Sequence, residues 1–326
     1  MTLADDTMPT VAVVIPAYNR ETTIARTLTS VCRAIDELEG PRVDRATDDP
    51  SRARGEVIVV DDGSADGTAA VAEALAAADP HVRVVRQENA GVSAARNAGA
   101  RAASADTLVF LDCDDEVDPR WLVALIGRDE PEAPRADLTF CSVRRHHGDG
   151  RVDQLDPEPL GPAFGDITGH FLPGLFSVDR EVFLRTGGYA VGLRFSENTE
   201  LGLRLTAELA RGNRTIATRV IPEALVTFTL PDVPGGSNAY SDRNRFESAL
   251  YLLDTHRDQL ALDPPQLATY WSIAGVAAAR LGRGRDATRC FVRAARVHPR
   301  QPKHAGRAAL SLVPPLRRRL WPARTA

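Results

Sequence analysis

Four short apolar runs, each followed by a helical pattern, constrain the fold of this chain more than any other feature. Val11–Ile15 and Val57–Val60 are continuous and β-branched, Thr107–Leu111 is a further apolar run, and Val82–Val85 is a short run that Arg83 interrupts. Apolar residues at helical spacing follow in segments 22–38, 68–78, 92–103 and 119–127. Strands that are apolar throughout are buried on both faces. The alternation therefore predicts an α/β domain whose parallel sheet is covered by helices.

Polar clusters stand directly after the predicted strands, where open parallel sheets bind their ligands. The densest follows the fourth run, in which Asp112, Asp114 and Asp115 place three carboxylates within four residues. Carboxylates this close repel one another unless a cation neutralises them, and Mg²⁺ or Mn²⁺ prefers oxygen ligands of this kind. The residues alone leave a second interpretation open, in which Asp115 or Asp118 caps a helix that begins at Pro119.

Composition is typical of a globular protein with one large α/β domain and an appendage. The 326 residues are 43% hydrophobic, and no run of about eighteen apolar residues is present that would form a spanning helix. The first residues are acidic and have no apolar core, so no secretory signal is expected. Four widely separated cysteines fit neither a disulfide framework nor a zinc site, which favours a cytoplasmic location.

Charge is divided unevenly along the chain. Residues 270–326 carry 13 Arg or Lys residues against one acid, a net charge of +12, whereas residues 1–269 carry a net charge of −16. Arg317–Arg319, followed by Leu320 and Trp321, form a basic tail. The basic tail has two interpretations, a solvated surface and a peripheral contact with the inner face of a membrane. No nucleic-acid partner is expected.

The second half of the chain is predicted to contain mixed elements and then helices. The predicted elements are a strand over 138–143, a loop over 146–170, a helix over 178–186 capped by Ser177, a helix over 197–211 and a strand over 215–229. Residues 271–299 have the spacing of one tetratricopeptide-like helical hairpin. We expect one domain over 1–237, with a polar surface insertion at 39–55, and a helical region with the basic tail over 238–326.

Four segments together resemble family 2 glycosyltransferases of the GT-A fold, and the resemblance covers about residues 10–230. They are 13–20 (VVIPAYNR), 59–68 (VVDDGSADGT), 89–99 (NAGVSAARNAG) and 110–115 (FLDCDD), in the order that the family has. The resemblance implies a Rossmann-like, mostly parallel sheet flanked by helices, with the C-terminal helices as an appendage. It also implies a nucleotide-sugar donor and a divalent cation, Mg²⁺ or Mn²⁺.

The resemblance assigns donor binding to residues that follow the predicted strands. Tyr18 matches the residue on which the family stacks a nucleotide base, and Asp62, with Asp61 beside it, matches the residue that bonds the uracil imide. Arg96 and Asn97 are implied to lie near the phosphates and the donor sugar. The other implied donor contacts are Pro16, Asn19, Glu21, Asp112, Asp114 and Asp115, of which the last three are also the implied metal ligands.

Structural interpretations of the same residues remain open. Tyr18 could pack on the helix that follows it, and the aspartate pair at 61–62 could serve only to form a turn with Gly63. Arg96 could be the buried partner of a structural ion pair.

The acceptor half of the reaction depends on a segment that departs from the family pattern. Residues 187–189 and 196–205 resemble the region in which a Glu-Asp pair opens a helix and the Asp is the general base. Asn198 occupies the position of that Asp, and an amide cannot accept a proton at neutral pH. Either Glu197 or Glu200 is the base, or the acceptor needs little deprotonation, or the protein no longer catalyses.

The resemblance implies a metal-dependent, inverting enzyme that moves one sugar from a nucleotide diphosphate donor, with a UDP-sugar as the first choice. The expected acceptor is a glycan, a lipid-linked intermediate or a natural product. Two alternatives are retained. One is a nucleotide-sugar-binding protein that has lost its base at Asn198. The other is a sugar-nucleotide nucleotidyltransferase, although residues 16–19 lack the Gly-rich loop of that class.

Overall fold

The computed structural model describes residues 10–40, 54–130, 134–230 and 241–322. Residues 41–53 of the predicted insertion and the predicted boundary at 231–237 lie outside these ranges. Two compact units are present. The first takes its residues from 1–160, 167–191 and 204–232, and the second from 161–166, 192–203 and 233–326.

Strands and helices alternate in the first unit, whereas the second is helical. The strands are β1 (Thr10–Ala17), β2 (Arg54–Asp61), β3 (Val82–Arg86), β4 (Thr107–Phe110), β5 (Glu116–Val117), β6 (Leu138–His147), β7 (Val152–Leu155), β8 (Glu158–Pro159), β9 (Thr168–Gly169), β10 (Phe176–Asp179) and β11 (Thr218–Leu230). The helices are α1 (Ile24–Glu39), α2 (Thr68–Ala78), α3 (Val92–Ala102), α4 (Trp121–Leu125), α5 (Arg180–Arg185), α6 (Glu197–Leu209), α7 (Asp242–Thr255), α8 (Arg257–Ala261), α9 (Pro264–Arg280), α10 (Gly284–Val297), α11 (Pro302–Ser311) and α12 (Pro314–Leu320).

Nine of the described strands form one mixed sheet in the order β3-β2-β1-β4-β10-β6-β11-β5, with β7 beside β6. The four strands predicted from the apolar runs pair in parallel, β1 with β2 and β4, and β2 with β3. Strand β10 lies antiparallel between β4 and β6, so the sheet is more mixed than the expected mostly parallel one. The predicted α/β architecture is confirmed.

Two local predictions for the second half were wrong. Ser177 does not cap a helix, because it lies inside β10. Asp179 is the cap instead, and its Oδ1 accepts from the Val182 N–H at 3.0 Å. The predicted loop at 146–170 contains β7, β8, β9 and a 3₁₀ turn. These strands are too short and too polar to show an apolar period.

Strand β1 lies at the centre of the core of the first unit, because every residue from Val11 to Ala17 is buried. Helix α1 covers it with apolar residues such as Leu28 and Ile35. Helix α3 packs on β1 and β2 through Gly99, where an added Cβ would overlap Val14 and lie 3.1 Å from Val60 Cγ2. The small residue at this point lets α3 approach the sheet closely.

Gly99→Ala is expected to destabilise the protein by about 1–3 kcal/mol, because the new methyl group overpacks against Val14. Gly306→Ala is the matched control, since Gly306 lies inside α11 and a Cβ there meets no atom within 4 Å. The control should be neutral or stabilising by up to about 1 kcal/mol through helix propensity alone. Denaturant unfolding measures both variants, and equal effects would contradict the close approach of α3.

The second unit is helical, which confirms the predicted helical C-terminal region, and side chains cap its helices α7 and α9. Ser241 Oγ accepts from the Asn244 N–H at 3.2 Å at the start of α7. Asp263 caps α9, whose first residue is a proline. Helices α9 and α10 form the predicted hairpin, in which a Cβ at Gly275 would lie 2.6 Å from Phe291 Cε1.

The basic tail folds as α12. Trp321 stacks on Phe291 with ring centroids 4.9 Å apart, and Arg317 Nη1 donates to the Ser311 carbonyl at 3.2 Å. Arg318 and Arg319 are exposed, and membrane contact through them stays a prediction. Among the described helices, none has the length and apolar character needed to cross a bilayer.

Candidate active site

The loop after β1 carries Tyr18 on a turn that the loop after β2 supports. Tyr18 is 47% exposed, and Asn19 follows it with a φ of +53°. The Asn19 N–H donates to Ser64 Oγ at 3.0 Å, and Asn19 Oδ1 accepts from the Ala65 N–H at 2.9 Å. The exposed ring is thus attached to a fixed turn, which suits stacking on a flat ligand.

Pro16 and Glu21, two other predicted donor contacts, shape this loop. Pro16 is buried inside β1, opposite Val60 of β2. Glu21 Oε2 accepts from the Gly67 N–H at 2.7 Å, directly before α2 begins. Both residues therefore help to place the turn that carries Tyr18.

Asp61 and Asp62 are buried at the end of β2 and hold neighbouring loops. Asp61 Oδ2 lies 3.5 Å from Arg86 Nε. Asp62 accepts three hydrogen bonds, from Gln87 Nε2 at 2.7 Å, the Ala90 N–H at 2.9 Å and the Gly91 N–H at 2.8 Å. A carboxylate offers about four acceptor positions, so Asp62 has little capacity left for the predicted bond to a nucleotide base.

Arg96, which lies on α3, is a buried cation that supports the loop of clustered carboxylates at 112–115. Arg96 is 3% exposed, and its Nη2 donates to Asp112 Oδ1 at 2.6 Å. The guanidinium carbon lies 5.0 Å from the centroid of the Tyr189 ring. Because a desolvated charge needs a partner, this pair fixes the position of Asp112.

Asn97 connects α3 to the turn at 187–189. Its Nδ2 donates to the Tyr189 carbonyl at 2.8 Å, and its Oδ1 accepts from the Tyr189 N–H at 2.7 Å. Gly188, with a φ of +71°, lies so close that a Cβ would overlap Asn97 Oδ1. Asn97 therefore has a buried structural role. The predicted contact with the donor sugar would have to be made in addition to these two hydrogen bonds.

The three clustered carboxylates differ strongly in exposure. The side chains of Asp112 and Asp114 are 39% and 46% exposed, whereas Asp115 is 8% exposed. Burial, followed by the charges of Asp112 and Asp114, raises the pKa of Asp115 to about 9. Burial, followed by the charge of Asp112, also raises the pKa of Asp114. The exposed oxygen atoms of this turn thus belong to Asp112 and Asp114.

Two arginines that the sequence analysis did not single out lie beside these carboxylates. Arg20 Nε is 3.6 Å from Asp114 Oδ2, and Arg26 Nη2 donates to the Asp114 carbonyl at 3.1 Å. Both side chains are nearly half exposed. Arg20 belongs to the first quoted motif and could have been chosen from it, whereas Arg26 lies on α1 without any motif.

The predicted metal ligands do not form a closed protein cage. Within the ranges that the structure describes, no three Asp, Glu, His or Cys side chains converge as a metal site. Mg²⁺ commonly takes only one or two carboxylates and completes its shell with substrate phosphates and water. Asp112 and Asp114 fit that arrangement, since both side chains are partly exposed and lie in the same turn.

The predicted catalytic residues lie in the first turns of α6, which belong to the second unit. Glu200 is fully buried, and its Oε1 lies 3.0 Å from Nε2 of His256, which is also buried. Glu197 is partly exposed, and its Oε1 accepts from Asn198 Nδ2 at 3.3 Å. The sequence analysis missed His256, because a lone histidine at the end of a helix carries no motif.

Comparison with known proteins identifies the family. The sequence profile described as glycosyl transferase family 2 matches residues 12–198, more than half of the chain. The succinoglycan biosynthesis protein ExoO of Rhizobium meliloti is 39% identical over 224 residues, which are 65% of this chain and 59% of ExoO. ExoU of the same organism is 31% identical over 218 residues, 62% of this chain and 58% of ExoU. The chain belongs to glycosyl transferase family 2.

The matched relatives are longer than the parts of them that align with this chain. This chain covers only 33% of EpsH of Bacillus subtilis, which is 32% identical over 135 residues and 41% of this chain. The family match gives no support to the nucleotidyltransferase alternative.

A solved structure shares the fold over nearly the whole chain. The crystal structure of S. aureus TarS 1-349 in complex with UDP-GlcNAc superposes with a TM-score of 0.55. The sequence identity is 15%, and the match covers 93% of this chain and 90% of that one. At this identity the similarity concerns the fold alone, and it confirms the predicted GT-A fold.

Asn97→Ala is expected to lower the free energy of unfolding by about 2 kcal/mol or more, because it removes both hydrogen bonds to the Tyr189 backbone. Asn89→Ala is the control, since it deletes the same side chain from an exposed position of the same motif. Its effect should stay within about 0.5 kcal/mol. Denaturant unfolding provides both values, and a small effect at Asn97 would argue against its structural role.

Proposed function

We propose that this chain transfers one sugar from a UDP-sugar to a hydroxyl group of an acceptor, with inversion at the anomeric carbon. The observation that carries the proposal is one set of partly exposed side chains on the loops that follow β1 and β4 and in the first turn of α1. The set combines an aromatic ring, two arginines and two carboxylates, namely Tyr18, Arg20, Arg26, Asp112 and Asp114.

The chemistry of these side chains matches a nucleoside diphosphate. The face of Tyr18 suits a nucleobase, because base stacking on an aromatic ring needs no particular hydrogen-bond pattern. Arg20 and Arg26 offer guanidinium donors, which suit phosphate oxygens. Uridine is favoured as the nucleoside because the TarS structures are described as complexes with UDP-GlcNAc and with UDP.

Metal dependence is part of the proposal. Asp112 and Asp114 would hold Mg²⁺ or Mn²⁺ together with phosphate oxygens of the donor, and the cation would neutralise the charge of the departing diphosphate. Asp115, the third predicted ligand, suits this role less well because it is only 8% exposed.

Glu197 is the residue that we assign as general base. In an inverting transfer the acceptor oxygen bonds to the anomeric carbon while the bond from that carbon to the diphosphate oxygen breaks, and the acceptor proton passes to a carboxylate. Glu200 is a poorer candidate, since it is buried against His256. Asn198 cannot take the proton, but its amide donates to Glu197 and orients it.

The acceptor that we propose is a saccharide, either free or lipid-linked, and a natural product is the second possibility. ExoO and ExoU are described as succinoglycan biosynthesis proteins, which favours a glycan. With one base and one set of donor contacts, a single addition per binding event is expected.

The donor site is tested by binding. UDP-GlcNAc or UDP-glucose with Mn²⁺ should raise the melting temperature, and Asp114→Asn should abolish the Mn²⁺-dependent part of that rise. Tyr18→Ala should weaken UDP binding by about tenfold, as expected for the loss of one stacked base. Tyr251→Ala removes an equally exposed ring from α7 and should leave UDP binding unchanged. Full UDP affinity in the Tyr18 variant would contradict the assignment.

The base is tested by turnover. Glu197→Gln should lower kcat by about 100-fold or more and change the KM for the donor little, because only proton transfer is lost. Glu200→Gln should instead lower the melting temperature, since it breaks a buried pair with His256. UDP release in the presence of acceptor is the measurement. Normal turnover in the Glu197 variant would rule this base out. A faster Asn198→Asp variant would show that an acid at position 198 can also accept the proton.

A further inference from the structure

A cavity in the second unit lies between helices α7, α9 and α11 and is remote in sequence from every residue assigned above. Its volume is about 200 Å³, equivalent to about seven water molecules in the liquid. Its floor is one face of α9, formed by Thr269, Ser272, Val276 and Ala277. Pockets for drug-sized ligands have volumes of about 300 Å³ or more. This cavity therefore suits a small group and not a whole nucleotide sugar.

Cationic side chains dominate the wall of this cavity. They are Arg245 on α7, Arg280 at the end of α9, and Lys303 and Arg307 on α11. Among the described residues that line the cavity, the single carboxylate is Asp242, which is buried and accepts from Arg280 Nη1 at 3.4 Å. Cationic side chains therefore outnumber acidic ones in this lining, which favours an anion.

Arg280, which lines the cavity, has a guanidinium that is only partly satisfied. Its Nε is buried and makes no hydrogen bond to any residue in the described part of the chain. Buried donors are almost always satisfied. The unsatisfied N–H therefore favours a further acceptor close to Arg280.

Neutral polar groups complete the wall. His304 and Ser272 are both buried, and Ser272 Oγ lies 3.0 Å from His304 Nδ1. Burial, followed by the charges of Lys303, His298 and Arg307, lowers the pKa of His304, in agreement with a positive potential. Lys303 and His304 also lie in the first turn of α11, where the helix dipole favours an anion.

We propose that this cavity binds a phosphate group, either as inorganic phosphate or as part of a phosphate ester. Guanidinium, ammonium and hydroxyl donors on three sides match a tetrahedral oxyanion, whose four oxygens accept from several directions. Every residue of the site belongs to the second unit, and the proposal does not rest on sugar transfer by the first.

Lys303 permits a test on the unaltered protein, because it is the only lysine in the sequence. The full chain is treated with formaldehyde and a borohydride reductant, in phosphate or in chloride of equal ionic strength, and peptide mass mapping measures methylation of Lys303. Phosphate should slow this methylation by about threefold or more relative to chloride, while the amino terminus reacts equally in both. Equal rates at Lys303 would overturn the proposal.

A pair of double variants separates a built site from general charge attraction. Lys303→Gln with Arg307→Gln should weaken the binding of inorganic phosphate, measured by calorimetry, by about tenfold or more. Arg318→Gln with Arg319→Gln removes the same charge from exposed positions of α12 and should change it less than about twofold. Equal weakening in both pairs would show non-specific attraction and refute the site. The melting temperature in the absence of phosphate serves as the fold control and should be similar in both pairs.

Three further probes test which kind of phosphate the cavity binds. They are glycerol 1-phosphate, a glycerol phosphodiester, and vesicles of phosphatidylglycerol compared with vesicles of phosphatidylcholine. Soluble esters that compete with inorganic phosphate support a phosphorylated small molecule or polymer. Phosphatidylglycerol binding that is lost in the Lys303 and Arg307 pair supports a lipid headgroup. If that pair weakens no probe, the proposal fails.

Discussion

A buried arginine near the start of α3 is the charge on which the ligand edge of the first unit depends. Arg96 is almost without solvent contact, so it is stable only with an anion and a polarisable face beside it. Asp112 supplies the anion and the Tyr189 ring supplies the face. Asn97 forms two hydrogen bonds with the backbone of Tyr189, so α3 holds two loops in position. The close approach of α3 to the sheet at Gly99 fixes the position of the helix that carries both residues.

The same reasoning explains why neighbouring carboxylates behave differently. Asp112 has Arg96 as its partner, and Asp114 has Arg20 within 3.6 Å of its carboxylate. Asp115 is the most buried of the three, and only the charge of Arg26 opposes the rise in its pKa. The carboxylate oxygens that a ligand can reach therefore belong to the two partly exposed residues.

The sequence predicted what depends on local pattern and missed what depends on long-range pairing. The first four strands were predictable because each is a short, mainly apolar run that a helical pattern follows. Strand β10 was not, since its four residues become a strand only by pairing between β4 and β6. Motif resemblance located Asp62 and Asn97, but it could not show that their hydrogen bonds hold Gly91 and Tyr189. The pair of Glu200 with His256 joins residues 56 positions apart and has no local signal.

The amide at position 198 becomes intelligible when its neighbours are considered together. Glu200, two residues further on, is a buried acid that already requires His256 as its partner. An aspartate at 198 would add a third carboxylate to the same helix turn, and like charges at this distance oppose one another. Asn198 instead donates to Glu197 at 3.3 Å. The substitution therefore replaces a repulsive neighbour with a hydrogen-bond donor, and it leaves Glu197 as the acid of this turn that is not buried.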